Sequence, residues 1–267
     1  YAIILLGFGM NLFEIFRVGS QSLLIIISTI GTALVVSYAV SRIMKIDHDI
    51  ATLVGVGSSI CGGSAIAAAA PVIKASDEDI AQSISVIFLF NVIAAFLFPT
   101  LGAILGFNDM GFGMWAGTAI NDTSSVVAAG QTWASASGSD TALNYATIVK
   151  LTRTLAIIPI CLGLAYLTSK RKATTSEVKI SSIFPMFIIY FLGASIINTF
   201  AGSHFDFFQF LPAIGKFMIA MAMAAIGLNT NLVKLIKTGG KPILLGLICW
   251  FCIAVVSLAM QHLLNIW

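Results

Sequence analysis

The sequence predicts an all-α polytopic membrane protein with inverted structural repeats and two interrupted helical segments. Three observations predict it. Only 9% of the 267 residues are charged while 58% are hydrophobic, with a mean hydropathy of +1.00, against about 25% charged in ordinary soluble domains. Apolar stretches long enough to cross a bilayer recur along the whole chain. Two further stretches are membrane-like in hydropathy but rich in Gly, Ser, Ala and Thr. The 19 Phe, 9 Met and 23 Gly also exclude a disordered chain, a collagen and a disulfide scaffold.

A crossing helix needs roughly 20 apolar residues at about 1.5 Å each. Charged or Gly/Pro punctuation delimits seven such segments in a single transmembrane domain over 1–267: about 1–16 (partial), 21–43, 80–106, 142–168, 182–200, 211–233 and 242–265. The interrupted segments fall at about 52–74 (GVGSSICGGSAIAAAAPVIK) and 113–133 (GMWAGTAINDTSSVVAAG). The opening YAIILLGFGMNL lacks the basic n-region and cleavage site of a signal peptide. Because Tyr1 rather than Met opens the chain, a further N-terminal piece is expected.

Cytoplasmic loops collect Lys and Arg. Lys170, Arg171, Lys172 and Lys179 mark one inner loop and Lys234, Lys237 and Lys241 a second. The segment around His204 and Asp206, the C-terminus at Trp267 and residues 134–141 then face out. Glu14, Arg17, Arg42, Lys45 and Lys216 sit near expected helix ends as interfacial anchors.

Two internal repeats constrain the topology further. An offset of 220 aligns Gly7, Asn11, Leu12 and Gly19 with Gly227, Asn231, Leu232 and Gly239. An offset of 60 aligns Gly57, Ile60, Ser64, Ala68 and Ala69 with Gly117, Ile120, Ser124, Ala128 and Ala129. Both become inverted repeats if each interrupted segment enters and leaves on one side as a re-entrant hairpin. That topology puts Lys74 inside and the loop 107–111 outside.

Irregular backbone at membrane depth must be buried in protein or line a wet cavity. Gly62-Gly63-Ser64 would let successive amides converge on an anion at a half-helix N-terminus. Ser58, Ser59, Ser64, Thr118, Thr123, Ser124 and Ser125 would add hydroxyls, or these small residues serve close helix packing. Asp122, Lys150 and Arg153 are the intramembrane charges. At roughly 2.5–3.5 kcal/mol each near a helix centre they must be paired or hydrated. Lys150 and Arg153 share one helical face, and a single Asp leaves a surplus positive charge for an anion to neutralise. Alternatively Asp122 bridges Arg153 and Lys150 snorkels. Asn121 either caps a half-helix or contacts substrate, and Asn91 is an isolated intramembrane amide.

Cys61, Cys161, Cys249 and Cys252 read as small core residues, and His48, His204 and His262 are too scattered for a metal site. No Ser/His/Asp or HExxH constellation lies in the apolar spans, so an enzyme is not expected. A net charge of +3, dispersed along the chain, gives no reason to expect nucleic acid.

GVGSSICGGSAIAAAAPVIKA, GTAINDTSSVVAAG, the KLTR of Lys150–Arg153 and AMAAIGLNTNLVKLIKTGGKP closely resemble the YeiH-type family of bacterial inner-membrane proteins, commonly labelled sulfate exporters. That family is usually longer by one or two N-terminal helices. It is distantly similar to the superfamily of sodium/proton antiporters and bile-acid symporters, in which a core domain moves against a panel. The resemblance implies that the interrupted segments belong to a transport core and that Asp122, Lys150 and Arg153 fall at matching motif positions.

The expected function is secondary transport of a small inorganic anion, such as sulfate or sulfite, across a bacterial inner membrane by alternating access. Ser59, Gly62, Gly63, Ser64, Asn121, Asp122 and Thr123 would line the site, with Lys150 and Arg153 as counter-charge. H⁺ or Na⁺ would be the coupling ion, the bilayer the surrounding partner, and no cofactor is expected. Self-association into a homo-oligomer is left open. Two alternatives are an exchanger of Na⁺ or H⁺ at Asp122 and a non-transporting membrane subunit.

Overall fold

In the computed structural model, residues 1–172, 186–201, 210–218, 221 and 240–266 are described, and among them every regular element is a helix. The chain is an all-α polytopic membrane protein. Four helical stretches, Leu12–Met44, Asp77–Ile104, Thr141–Thr168 and Gly240–Leu263, are long and apolar enough to cross a bilayer.

The first boundary differs from expectation. Helix α1 (Ala2–Gly7) stops early, and α2 runs unbroken over Leu12–Met44, straight through the Arg17–Ser20 stretch expected to separate two spans. Asn11 supplies the cap, accepting from the Phe13 amide at 2.9 Å. Gly19 is a packing glycine rather than a breaker, since a Cβ there would lie 3.1 Å from Thr152 Oγ1. Arg17 simply points outward from the helix.

After a left-handed turn at Lys45, α3 (His48–Ser59) and α4 (Gly63–Ile73) form the segment expected near 52–74. They lie side by side. A Cβ on Gly57 would meet Ile66 at 2.9 Å across the break. Residues from the start of α3 (His48, Thr52) and the end of α4 (Ile73) line one cavity. The chain therefore returns to the end it came from, where carboxylates of Asp47, Asp49 and Asp79 gather within 4.8 Å of one another. Gly62 makes the turn at φ +71, a conformation that a Cβ would penalise.

Helix α5 (Asp77–Ile104) starts at a Ser76 cap reinforced by three acidic residues in its first turn. It leads to the opposite end of the bundle. There α6 (Asp109–Ala119) and α7 (Thr123–Ser137) form the second hairpin. Phe112 and Trp133 stack with ring centroids 4.1 Å apart, and Trp133 Nε1 donates to Asp109 Oδ1 at 2.8 Å. The two hairpins thus enter the bundle from opposite ends, and their tips meet near the middle of α5.

The stretch expected as one helix over 142–168 is α8 (Thr141–Thr154) and α9 (Ile157–Lys172), separated by a turn at 155–156. Pro159 has no N–H to return to the Leu155 carbonyl, and Ile158 bonds that carbonyl instead at 3.3 Å. Helices α6 and α8 are close-packed because Gly113 and Gly117 leave no room for a Cβ against Tyr145 and Val149.

Helix α10 (Met186–Ala201) ties to the start of α2, with Thr199 Oγ1 accepting from the Leu12 amide at 2.9 Å. Helix α11 (Gly240–Leu263) packs on α2 and α6, where Trp115 Nε1 donates to the Ala254 carbonyl at 3.2 Å. Of the expected span 211–233, the stretch 211–218 is helical and residue 221 is described. The later repeat motif Gly227–Asn231, with Lys179, His204, Asp206, Lys234 and Lys237, lies outside the described residues.

Charge is divided between the two ends. Arg42, Lys45 and Lys74 close helices at the end shared by Asp47 and Asp79. At the other end Lys216 pairs with Asp140 at 2.7 Å.

Candidate functional site

Two neighbouring residues on α8 organise the centre. Lys150 and Arg153 are both fully buried. The Lys150 ammonium donates to the carbonyls of Ile60 and Ile120, the latter at 3.2 Å. Arg153 donates through Nε to Ser59 O at 2.8 Å, through Nη2 to Ser58 O at 2.7 Å and through Nη1 to Thr118 O. These carbonyls belong to the last turns of α3 and α6 and their caps, which an interrupted helix leaves orphaned. Each such C-terminus carries roughly half a negative charge, so the two cations are held by main chain from both hairpins at once.

The acceptors repeat with the sequence. Ile60 and Ile120, and Ser58 and Thr118, are the pairs aligned by the offset of 60. The two hairpins thus offer sequence-equivalent acceptors to the same two side chains, and Asn91, near the midpoint of α5, sits at their tips. Asn91 is 2% exposed, and its Oδ1 accepts from the amides of Asn121 at 3.1 Å and Asp122 at 3.2 Å. A Cβ on Gly62 would lie 3.4 Å from Asn91 Nδ2 and 3.7 Å from the Asn121 carbonyl oxygen. The amide thus touches both tips.

The N-terminal halves of the two hairpins differ. Asp122 caps α7, its Oδ2 accepting from the Ser125 amide at 3.1 Å, from Ser125 Oγ at 3.3 Å and from Ser124 Oγ. At the corresponding position Gly62 gives α4 no side-chain cap. Beyond it a Cβ on Gly63 would meet nothing within 4 Å, and Ser64 is exposed. The first turn of α4 thus borders open space at Gly63 and Ser64, while its Ala65 amide is bonded to the Cys61 sulfur.

The residues singled out in the sequence divide accordingly. Gly62, Gly63, Ser64, Asn121, Asp122 and Thr123 lie at the two N-terminal tips, with Asp122 and Thr123 half-buried. Ser59 is sealed, with its hydroxyl on the Val56 carbonyl and its own carbonyl on Arg153. Thr118 is spent on packing, bonded to Met114 O and to Ser257 Oγ of α11. Asp122 makes no ion pair with Arg153 among the described residues. Asn121 is fully buried, and neither atom of its side-chain amide has a partner. Ser58 Oγ is also buried without one. The central role of Asn91 was signalled only by its being an amide in an apolar run.

A polytopic bundle in which two broken hairpins meet around buried charge defines a membrane protein with an internal polar site. The chain belongs to the family described as "Conserved hypothetical protein 698", whose model matches residues 1–246. A UPF0324 membrane protein of Streptococcus pyogenes serotype M3 is 58% identical over 272 residues, covering 100% of this chain and 80% of that relative. UPF0324 membrane proteins of Streptococcus mutans and Fusobacterium nucleatum are 56% and 54% identical, again over 100% of this chain and 80% and 81% of theirs. No solved structure matches it significantly.

Proposed function

We propose that the protein is a secondary transporter of a small oxyanion, with sulfite and sulfate as the sulfur members of that class, in a bacterial inner membrane. The observation that carries this reading is the fully buried, unpartnered side-chain amide of Asn121, next to an α4 tip whose N-cap Gly62 has no side chain and whose Gly63 borders open space. Behind it lie two buried cations and one carboxylate. Lys150 and Arg153 give their hydrogen bonds to the scaffold, so an anion at the tips would feel their charge and take its hydrogen bonds from the α4 amides, Ser64 and Thr123. The one positive charge left over after Asp122 favours an anionic occupant in a low-dielectric setting.

In this reading the hairpins re-enter from opposite faces of the membrane, and access alternates as they shift against α2, α10 and α11. The reaction class is transport, with no covalent chemistry, and H⁺ or Na⁺ supplies the coupling.

The test is anion flux in proteoliposomes containing the purified chain. Sulfite- or sulfate-dependent flux is expected in the wild type and is lost in Gly63→Val, which fills the space over the α4 amides. Flux driven by a sodium or pH gradient without any anion would replace this reading with cation exchange at Asp122. Absence of all flux together with a stably copurifying partner would replace it with a non-transporting subunit.

A further inference from the structure

We infer that the cavity between α2, α3 and α9 holds an anionic phospholipid, one acyl chain in its apolar body and the phosphate on Arg42. This goes beyond the transport reading and is independent of what is carried. It takes from that reading only the orientation that puts Lys74 on the cytoplasmic side.

The cavity has a volume of about 650 Å³, within the range of roughly 300–1,000 Å³ common for sites that take small organic ligands. Val56, one turn from the hairpin tip, and Ile160, near the start of α9, line its inner part, while Arg42, His48 and Thr168 line its outer part. Tyr38 and Leu167, which also line it, are 60% and 56% exposed, so it opens sideways between α2 and α9 onto the apolar surface of the bundle.

The hydroxyls inside are already spent. Ser37 Oγ donates to the Ala51 carbonyl at 2.6 Å, Ser41 Oγ donates to the Tyr38 carbonyl at 2.9 Å, and Thr52 Oγ1 lies 3.3 Å from His48 Nδ1. A hydrated inorganic anion would lose its water there and gain few bonds in return. An alkyl chain would meet Leu34, Ile46 and Leu164 instead.

Arg42 is the unspent polar group. Its guanidinium is exposed, lies over the Tyr38 ring at 5.2 Å from the centroid, and has no ion-pair or hydrogen-bond partner among the described residues. Such a planar fork can donate to two phosphate oxygens at once. The carboxylates of Asp47, Asp49 and Asp79 gather at the same end, but none of them is among the described lining residues. Helix α9 runs on into Lys170, Arg171 and Lys172, and basic clusters at cytoplasmic helix ends attract anionic lipids. An apolar slot with a cationic mouth at the level of the headgroups is complementary to an anionic phospholipid and to neither half of one alone.

The test is native mass spectrometry of the purified full-length protein, stripped of lipid in maltoside detergent and titrated with dioleoyl phosphatidylglycerol, dioleoyl phosphatidylcholine or glycerol 3-phosphate. One phosphatidylglycerol is expected to bind with an apparent Kd roughly tenfold below that of phosphatidylcholine, and glycerol 3-phosphate is expected not to bind. Arg42→Glu, at an exposed position, should erase the preference between the two lipids. Gly163→Phe starts from a Cβ with nothing within 4 Å, places a ring in the cavity and should weaken both lipids about tenfold. The two variants probe head and tail separately, so each decides its own half.

Equal affinity for the two lipids in the wild type, or an undiminished preference in Arg42→Glu, takes the phosphate off Arg42 and overturns the proposal. Unchanged binding of both lipids to Gly163→Phe takes the chain out of the cavity and overturns it too. Glycerol 3-phosphate binding as tightly as the lipid would make the occupant a free phosphate ester, and no saturable binding at all would leave the cavity to protein; either result also overturns it. None of these outcomes bears on anion flux, which Gly63→Val tests at the hairpin tip.

Discussion

Ile60 and Ile120, sixty positions apart, present their carbonyl oxygens to the same ammonium, that of Lys150. Ser58 and Thr118 do the same for the Arg153 guanidinium. Duplicated sequence here produces duplicated acceptors, and two unduplicated cations on α8 bind both sets. The cost of holding two cations in an apolar interior is offset by five main-chain oxygens at the ends of the interrupted helices.

Arg153→Ala strips the donors from three buried carbonyls. At roughly 1–3 kcal/mol for each unmet group, most of the stability of the fold is at stake. Little folded protein should survive extraction, with Arg153→Lys intermediate, as read by tryptophan-fluorescence melting in detergent. A wild-type melting temperature in Arg153→Ala would contradict the clasp.

Removing Asn91 should cost less and act elsewhere. Asn91→Ala leaves the amides of Asn121 and Asp122 without their shared acceptor, for a loss of about 2 kcal/mol. The link between α6 and α7 should then exchange its amide hydrogens faster than α2 does, which hydrogen exchange with mass spectrometry resolves.

Glycines should divide by what surrounds them. Gly113→Val places its Cβ 2.6 Å from Tyr145 Cβ and 2.7 Å from the Ala142 carbonyl, so α6 must back away from α8 at a cost of about 1–3 kcal/mol or more. Gly163→Ala, on α9 with nothing within 4 Å, should raise stability by up to about 1 kcal/mol through helix propensity. Comparing the two melting temperatures checks both.

Single cysteines at Lys74 and Asn108 should react with membrane-impermeant maleimide from opposite sides, Lys74 from the cytoplasmic face. The scan is run in a Cys252→Ser background, since Cys252 is only half-buried whereas Cys61, Cys161 and Cys249 are buried. Reaction of both positions from one side would refute the hairpin topology.

The helical class, the positions of α5 and α11 and the existence of two breaks were legible because apolar runs, caps such as Ser76 and clusters such as Gly62-Gly63-Ser64 are local signals. The boundary between α1 and α2 was not. Arg17 and Gly19 look like punctuation, yet an arginine at the surface and a glycine under Thr152 both sit comfortably in a continuous helix. The turn at Leu155–Ala156 was signalled only by Pro159, which has no N–H to offer the Leu155 carbonyl four residues upstream. At the centre, charge and spacing brought Lys150 and Arg153 forward together. Their acceptors are main-chain oxygens some 30 to 95 residues away, and a backbone carbonyl has no letter in the sequence.

Five hydrogen bonds from two charged side chains lace the α3–α4 hairpin to the α6–α7 hairpin. Sliding one hairpin past the other would strip those bonds from two fully buried side chains, and neither half can yield first without leaving a buried charge short of acceptors. The pair is mechanically a single casting. A displacement of one hairpin therefore carries the tip of the other with it.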